Sequence, residues 1–420
     1  MTADRTRSPA RLTAAAAALL ALAAGPARLA AQGDDLPKWK IDPYTRMDPK
    51  AMERAGYVSF GPFGFGEINE RAVPTDEIEK ELGEPHILWV ETAHFRLGSS
   101  LERWPIPVDR ETRTKLRAEL EELAEKLPRI NERTRVLDPW LRVHLFAHRL
   151  EKLYADWQKR LGVTDASFPD KPNSSVDGKY MGEGRFLGQK EKYAVLLLQK
   201  ESDYTRYLRT YIGMAQTFAK RHNFKMTDML FFGTAAELYE GSLRHDTSMH
   251  CHVYFNVVQQ LINGYRHYNF DFPVWFKEGV GHFYGRGVDE KYNNFDQNES
   301  TSADVRKTWN WKPKVRALVV AGSDKVTPWA EMFQWRDYGQ ITFTDHMVLW
   351  SRVEYLIGLG DDKFAKFLFA VKDAADPNRP GGRADVLDVQ REAFRDAWGG
   401  NVVVLEEKWK EYVKTTYPVR

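Results

Sequence analysis

A chain of 420 residues that is 43% hydrophobic and 13% aromatic has ample apolar material for a core, and its 29% charged residues give it a well-solvated surface. The formal net charge of +2 owes much to Arg5, Arg7, Arg11 and Arg28, which share the first 31 positions with a single acid, Asp4; the rest of the chain is balanced. That balance argues against nucleic acid or an anionic membrane surface as a partner, and the lone cysteine, Cys251, excludes internal disulfides and reads as a small buried apolar residue.

The chain opens like a secretory signal peptide. A basic start precedes the apolar run LTAAAAALLALAA (Leu12 to Ala24), and PARLAAQ offers small residues for cleavage near Ala31. The run is shorter than the roughly 20 residues a membrane-spanning helix needs. No comparable run follows, so a secreted or periplasmic protein with no transmembrane segment after the leader is expected. Residues 32–85 read as an extended arm with one short helix near Pro49 to Ala55. Gly61, Gly64 and Gly66 stand among phenylalanines with no buried strand leading into them, which predicts a turn-rich loop packing its rings on a neighbour rather than a phosphate loop.

From His86 the texture changes. HILWVETAHFRLGS alternates as a strand or hairpin does, and ETRTKLRAELEELAEKLPRI places Leu116, Leu120, Leu123 and Leu127 on one helical stripe. A second helix is expected over Asp138 to Leu161, and a Gly-rich loop over Phe168 to Gln189. YAVLLLQ suits a strand covered on both faces. SDYTRYLRTYIG follows as a helix, then a basic linker, then MLFFGT and ELYEGSL as two short strands.

Five of the eleven histidines fall between His245 and His282. This segment reads as a helix, a loop and a second helix opened by Pro273. The second carries Glu278 and His282 four residues apart, hence on one face. The first carries a polar ridge of His252 and Asn256, continued by Gln259 and Gln260, that must find partners in an apolar setting. The face bearing Glu278 and His282 is the expected partner. A polar stretch, Gly285 to Lys307, follows. Then come AEMFQW, YGQITFTDHMVLWSRVEYLIG, DDKFAKFLFAVKDA, VLDVQREAFRDAW and VLEEKWKEYVKTTY, all helical in pattern. The expected fold is α+β, with a small N-terminal sheet layer, a two-helix core carrying a metal-site pattern and an all-helical C-terminal half. Its expected divisions are 1–31, 32–85, 86–284 and 285–420.

The order of these segments from Pro85 to Tyr417 resembles the peptidase MA-like gluzincins, secreted zinc-peptidase-fold proteins. PVWFKEGVGHFY is similar to that family's P-x-W-x-x-E-G-x-A-x-x-Y segment, and the Y-x-Q, EYL and W-x-x-Y-V helices follow in the family's order. The resemblance implies zinc held by two histidines of H-E-x-x-H and by the glutamate after the tryptophan, with the motif's own glutamate activating water. It places His252 at the first ligand and Glu278 at the third. It also puts Val253 at the general base, Asn256 at the second histidine, and His282 where an acidic residue orients the first ligand. Valine moves no proton, and an amide oxygen is a poor substitute for imidazole on zinc. Starting the motif at His250 instead puts Cys251 at the base and Tyr254 at the second ligand.

Three readings follow. In the first, the fold persists without peptidase chemistry or cofactor, and binds a peptide, glycan or envelope partner in a cleft lined by the ELYEGS edge strand. Glu237, Tyr239, Glu240, Trp275 and Tyr284 would line that cleft. In the second, His252, Glu278 and His282 form a rearranged Zn2+ site of a hydrolase, with His250 or His245 as alternates and Glu240 as base. In the third, Trp309, Trp311, Trp329 and Trp335 form an exposed contact surface of a scaffold protein.

Overall fold

The computed structural model describes residues 36–270, 272–296, 308–376 and 385–420; the leader, the site near Ala31 and residues 297–307 lie outside them. Residues through Ile41 form one unit, whose described part holds a 3-10 turn at Lys38–Lys40, and Asp42–Arg420 forms a second, described below.

In the arm, helix α1 (Pro49–Ala55) forms where expected. The Asp48 carboxylate accepts from the Lys50 N–H, and Gly56 ends the helix at φ +80°. The glycine-rich stretch is a hairpin rather than a loop, strand β1 (Gly64–Ile68) pairing with β2 (Arg71–Pro74) ahead of helix α2 (Thr75–Glu81). Its rings do pack on neighbours: buried Phe65 meets Trp89 and Phe231 edge-on.

Strands β3 (Leu88–Glu91) and β4 (Phe95–Ser99) form the expected antiparallel hairpin. A minor pair, β5 (Trp104–Pro105) and β6 (Val136–Leu137), brackets helix α3 (Arg110–Lys126), on which Leu116, Leu120 and Leu123 are buried. Helix α4 (Pro139–Leu161) starts where the Asp138 carboxylate accepts from the Leu141 N–H and stops at Gly162, φ +64°. Strand β7 (Tyr193–Leu198) is buried at every position and runs parallel to β4; helix α5 (Glu201–Tyr211) follows.

Two expectations fail next. The basic linker is a strand, β8 (Lys220–Phe224), antiparallel to β9 (Met229–Ala235), and the sheet order β3-β4-β7-β9-β8 makes β8 the edge. Its half-buried KRHNF shows no alternation, so nothing in its pattern marks it. ELYEGSL, by contrast, is no strand. After Ala236 the chain makes a single turn, α6 (Leu238–Gly241), with Tyr239 and Glu240 at φ +53° and +59°.

Helices α7 (Asp246–Gly264) and α8 (Val274–Val288) follow, and α8 runs on past Tyr284 into the stretch read as polar. The C-terminal half is helical, as expected: α9 (Trp311–Val320), α10 (Trp329–Met332), α11 (Phe343–Gly358), α12 (Asp361–Ala374), α13 (Val386–Trp398) and α14 (Val402–Thr416). Helix α9 was not anticipated. The architecture is mixed α+β. Among the described residues no helix is long and apolar enough to cross a membrane.

The tryptophans expected at a contact surface are mostly core. Trp311, Trp329 and Trp335 are buried and only Trp309 is exposed. Trp275 stacks on Phe333 and meets Trp329 and Phe394, donating its indole N–H to Gln390 Oε1. Each such ring removed from water contributes about 1.5–3 kcal/mol, which accounts for their interior place. The glycines of α8 let it lie close between two helices. A Cβ at Gly281 would stand 3.0 Å from the Phe255 ring on α7, and one at Gly279 only 2.5 Å from Val353 Cγ2 on α11.

Candidate metal centre

Helix α7 is buried nearly all round, so it has no solvent face to show how it is turned. Its packing separates two ridges. Cys251, Phe255 and Gln259 face α8, where Gly281 and Gly285 make room for them. His252, Asn256 and Gln260 face the sheet edge instead. Gln260 Nε2 donates to the carbonyls of Phe231 and His222, and Asn256 Oδ1 accepts from Arg221 of β8. His252 Nδ1 lies 3.0 Å from Asn294 Oδ1, its ring near Phe232 and Tyr239, and burial holds its pKa down to about 4. The expected meeting of His252 with Glu278 and His282 in one ligand set is therefore not made. Of the polar ridge only Gln259 turns toward α8; the partners of His252, Asn256 and Gln260 come from the sheet and from the segment after α8.

The partner of Glu278 and His282 is α11. His282 Nε2 lies 3.0 Å from His346 Nδ1, and Glu278 Oε1 lies 3.3 Å from each of these nitrogens. All three residues are at most 2% exposed. They are, among the described residues, the one group of three or more His, Cys, Asp or Glu whose ligand atoms lie within 4.8 Å of one another. His346 stands one turn into a helix opened by a capping box, Thr342 with Asp345. The sequence signal for it was a histidine in the first turns of a largely buried helix, 64 residues beyond His282.

Hydrogen bonds do not close this triangle. At 3.3 Å neither nitrogen makes a well-aligned hydrogen bond to Glu278, His282 Nδ1 has no partner, and the carboxyl of Asp296 stands beside Glu278. Burial by itself would raise the Glu278 carboxyl, but the two imidazoles outweigh it and hold the group well below the usual carboxylate range, so it is ionised. Burial brings His282 down to about 4 and keeps it neutral at pH 7. An ionised carboxylate facing two nitrogens in full burial, with Asp296 and Arg221 as its other charged neighbours, is costly unless a proton or a bound cation completes it. Zinc with ligand atoms at 2.0–2.1 Å would set those atoms about 3.3 Å apart in a tetrahedron, close to the 3.0 and 3.3 Å found here. The donor set, two imidazoles and one carboxylate, is one that zinc accepts. The residues fit the ion.

Around the triad, Arg221 Nη2 donates to Asp296 Oδ2 at 2.6 Å. Burial raises the Asp296 carboxyl, and the nearby Glu278 carboxylate raises it further. Tyr338 donates to Gln259 Oε1.

The other expected site residues lie elsewhere. Val253 is buried and His250 lines a different cavity, with Glu119, Arg149 and Trp104. His245 stacks on Tyr292 ahead of α7. Glu237 accepts from the Glu201 N–H at the start of α5, and Tyr239 Oη accepts from the Ala219 N–H. Glu240 is exposed on the α6 turn. Trp275 is core, and Tyr284 donates to Asp156 while accepting from Arg160. The strand expected to gather the first three is a turn, and Trp275 and Tyr284 sit on α8. No known family profile matches the chain, and neither curated proteins nor solved structures hold a match to it.

Proposed function

We propose that this is an exported metal-binding protein on a gluzincin-like frame. Glu278, His282 and His346 hold one divalent ion, zinc by their chemistry, and the protein acts by binding a peptide, glycan or envelope partner rather than by cutting one. The observation that carries the metal is the convergence of the buried Glu278 carboxylate with two imidazole nitrogens, 3.3 Å from each. The absence of cleavage rests on the altered ligand set, in which no glutamate stands beside a ligand histidine of α7 as the resembled family's base does. Purified protein dialysed against zinc and analysed for metal should hold about one ion per chain and leave generic peptides intact. A chain that takes up no zinc, or one that cleaves them, contradicts the proposal.

A metal-dependent hydrolase is the second reading, favoured by Asp296. When bound, zinc supplies a Lewis acid, and Asp296 would then be a carboxyl beside Glu278, held by Arg221 and placed to carry a proton. Peptide cleavage that disappears in Asp296→Asn while the ion stays bound would select this reading over the first.

A further inference from the structure

The segment leaving α8 returns across the triad and is fastened by four consecutive side chains. Asn293 Oδ1 accepts from Arg286 Nη1 at 2.6 Å, and its amide donates to the Thr308 carbonyl at 3.0 Å. Asn294 meets His252 on α7. Asp296 is locked to Arg221 on the edge strand. Between them Phe295, 4% exposed, sets its ring edge-on over both histidines, with centroids 4.7 Å from His346 and 5.6 Å from His282. Trp311 and Phe343 also pack against it, and Trp311 itself meets His282 edge-on at 5.1 Å.

A structural zinc needs no such cover, since a closed ligand set excludes water by itself, whereas three protein ligands leave a fourth position. Here an apolar ring rests against two of the three ligands, and the side chains fastening it reach α7, β8 and α8 rather than the ligands alone. The ring can therefore leave without breaking a ligand bond. Its release costs a local set of contacts, the kind of opening that proceeds without global unfolding.

We propose that Asn293–Asp296 is a plug seated on the Glu278/His282/His346 centre, so that the ion, and any molecule that approaches it, exchanges with solvent only when Phe295 lifts. The proposal rests on the metal reading for the ion but not for the plug itself, and the two fail separately. In the zinc-loaded full chain, Phe295→Ala should speed zinc transfer to excess 4-(2-pyridylazo)resorcinol by about tenfold or more, with one ion still bound at the start. In the metal-free chain, diethyl pyrocarbonate should label His282 and His346 slowly in the parent and at least about tenfold faster in the variant, read by peptide mass. Asp296→Ala, which frees the plug from Arg221 and leaves the ring intact, serves if Phe295→Ala does not fold. Equal labelling rates in the parent and a folded variant overturn the plug. If the parent takes up no zinc, the metal reading falls and the labelling still decides.

Discussion

His94 is an imidazole held between two carboxylates, and Glu278 is a carboxylate held between two imidazoles. At His94, Nδ1 lies 2.6 Å from Glu151 Oε2 and Nε2 lies 3.1 Å from Asp165 Oδ2, while Tyr154 stacks on the ring at 3.8 Å. Glu151 Oε1 also accepts from Thr92 Oγ1 and the His94 N–H. Every acceptor there is used, and the cluster stands at the edge of solvent. At Glu278 the same chemical types converge in full burial, with neither carboxylate oxygen in a well-aligned hydrogen bond. Similar residues thus make a finished clasp in one place and an unfinished coordination shell in the other. What separates them is satisfaction rather than composition.

The largest expected effect breaks the comparison at its unfinished side. Zinc at a thousandfold excess over its Kd should stabilise the parent by about 4 kcal/mol and raise its melting temperature. Glu278→Ala should lose that response, and an unchanged zinc-induced shift in calorimetry would contradict the ligand assignment. Gly279→Ala comes next, because its Cβ would strike Val353 at 2.5 Å and the Leu349 carbonyl at 3.1 Å. It should cost about 1–3 kcal/mol in urea unfolding and weaken zinc binding by parting α8 from α11. An Ala there with parent stability would mean the helices lie farther apart.

His94→Ala sharpens the finished side and should cost about 1–2 kcal/mol near pH 6, allowing for its partial exposure. Burial would lower the His94 pKa, but Glu151 and Asp165 outweigh it and raise it; burial would raise Glu151, but His94 outweighs it and lowers it. The raised histidine contributes stability that is complete below its unfolded value of 6.5 and is lost as pH climbs through the folded value. The lowered glutamate contributes above its unfolded value of 4.5 and loses that as pH falls through the folded one. The parent–variant gap should therefore be widest between pH 4.5 and 6.5 and narrow as pH rises through the raised His94 value, and a gap growing with pH would refute the clasp. The smallest effect belongs to Gly287→Ala on the same helix as Gly279, where a Cβ meets nothing within 4 Å. It should be neutral or stabilise by up to about 1 kcal/mol; a loss of stability there would show that α8 is constrained at its C-terminal end too.

Much of this was legible locally. The Asp48, Asp109 and Asp138 caps, the leucine stripe of α3 and the unbroken apolar run of β7 each declare their element through period or capping chemistry. The i,i+4 spacing likewise puts Glu278 and His282 on one helix face. What could not be read was the orientation of α7. When a helix is buried on every side, periodicity no longer tells which neighbour each ridge meets, so His252 and Cys251 were equally eligible to face α8. His346 was hidden for the complementary reason, since it joins the site only through the docking of α8 against α11. The edge strand β8 escaped because its residues are half-buried on both faces.

The most direct test compares the histidine that the sequence singles out with the one that the fold supplies. Zinc uptake by equilibrium dialysis should be about one ion per chain in the parent and in His252→Ala, and should fall to background in His346→Ala. Retention of zinc by His346→Ala together with its loss from His252→Ala would place the ion on α7 and contradict the centre described here.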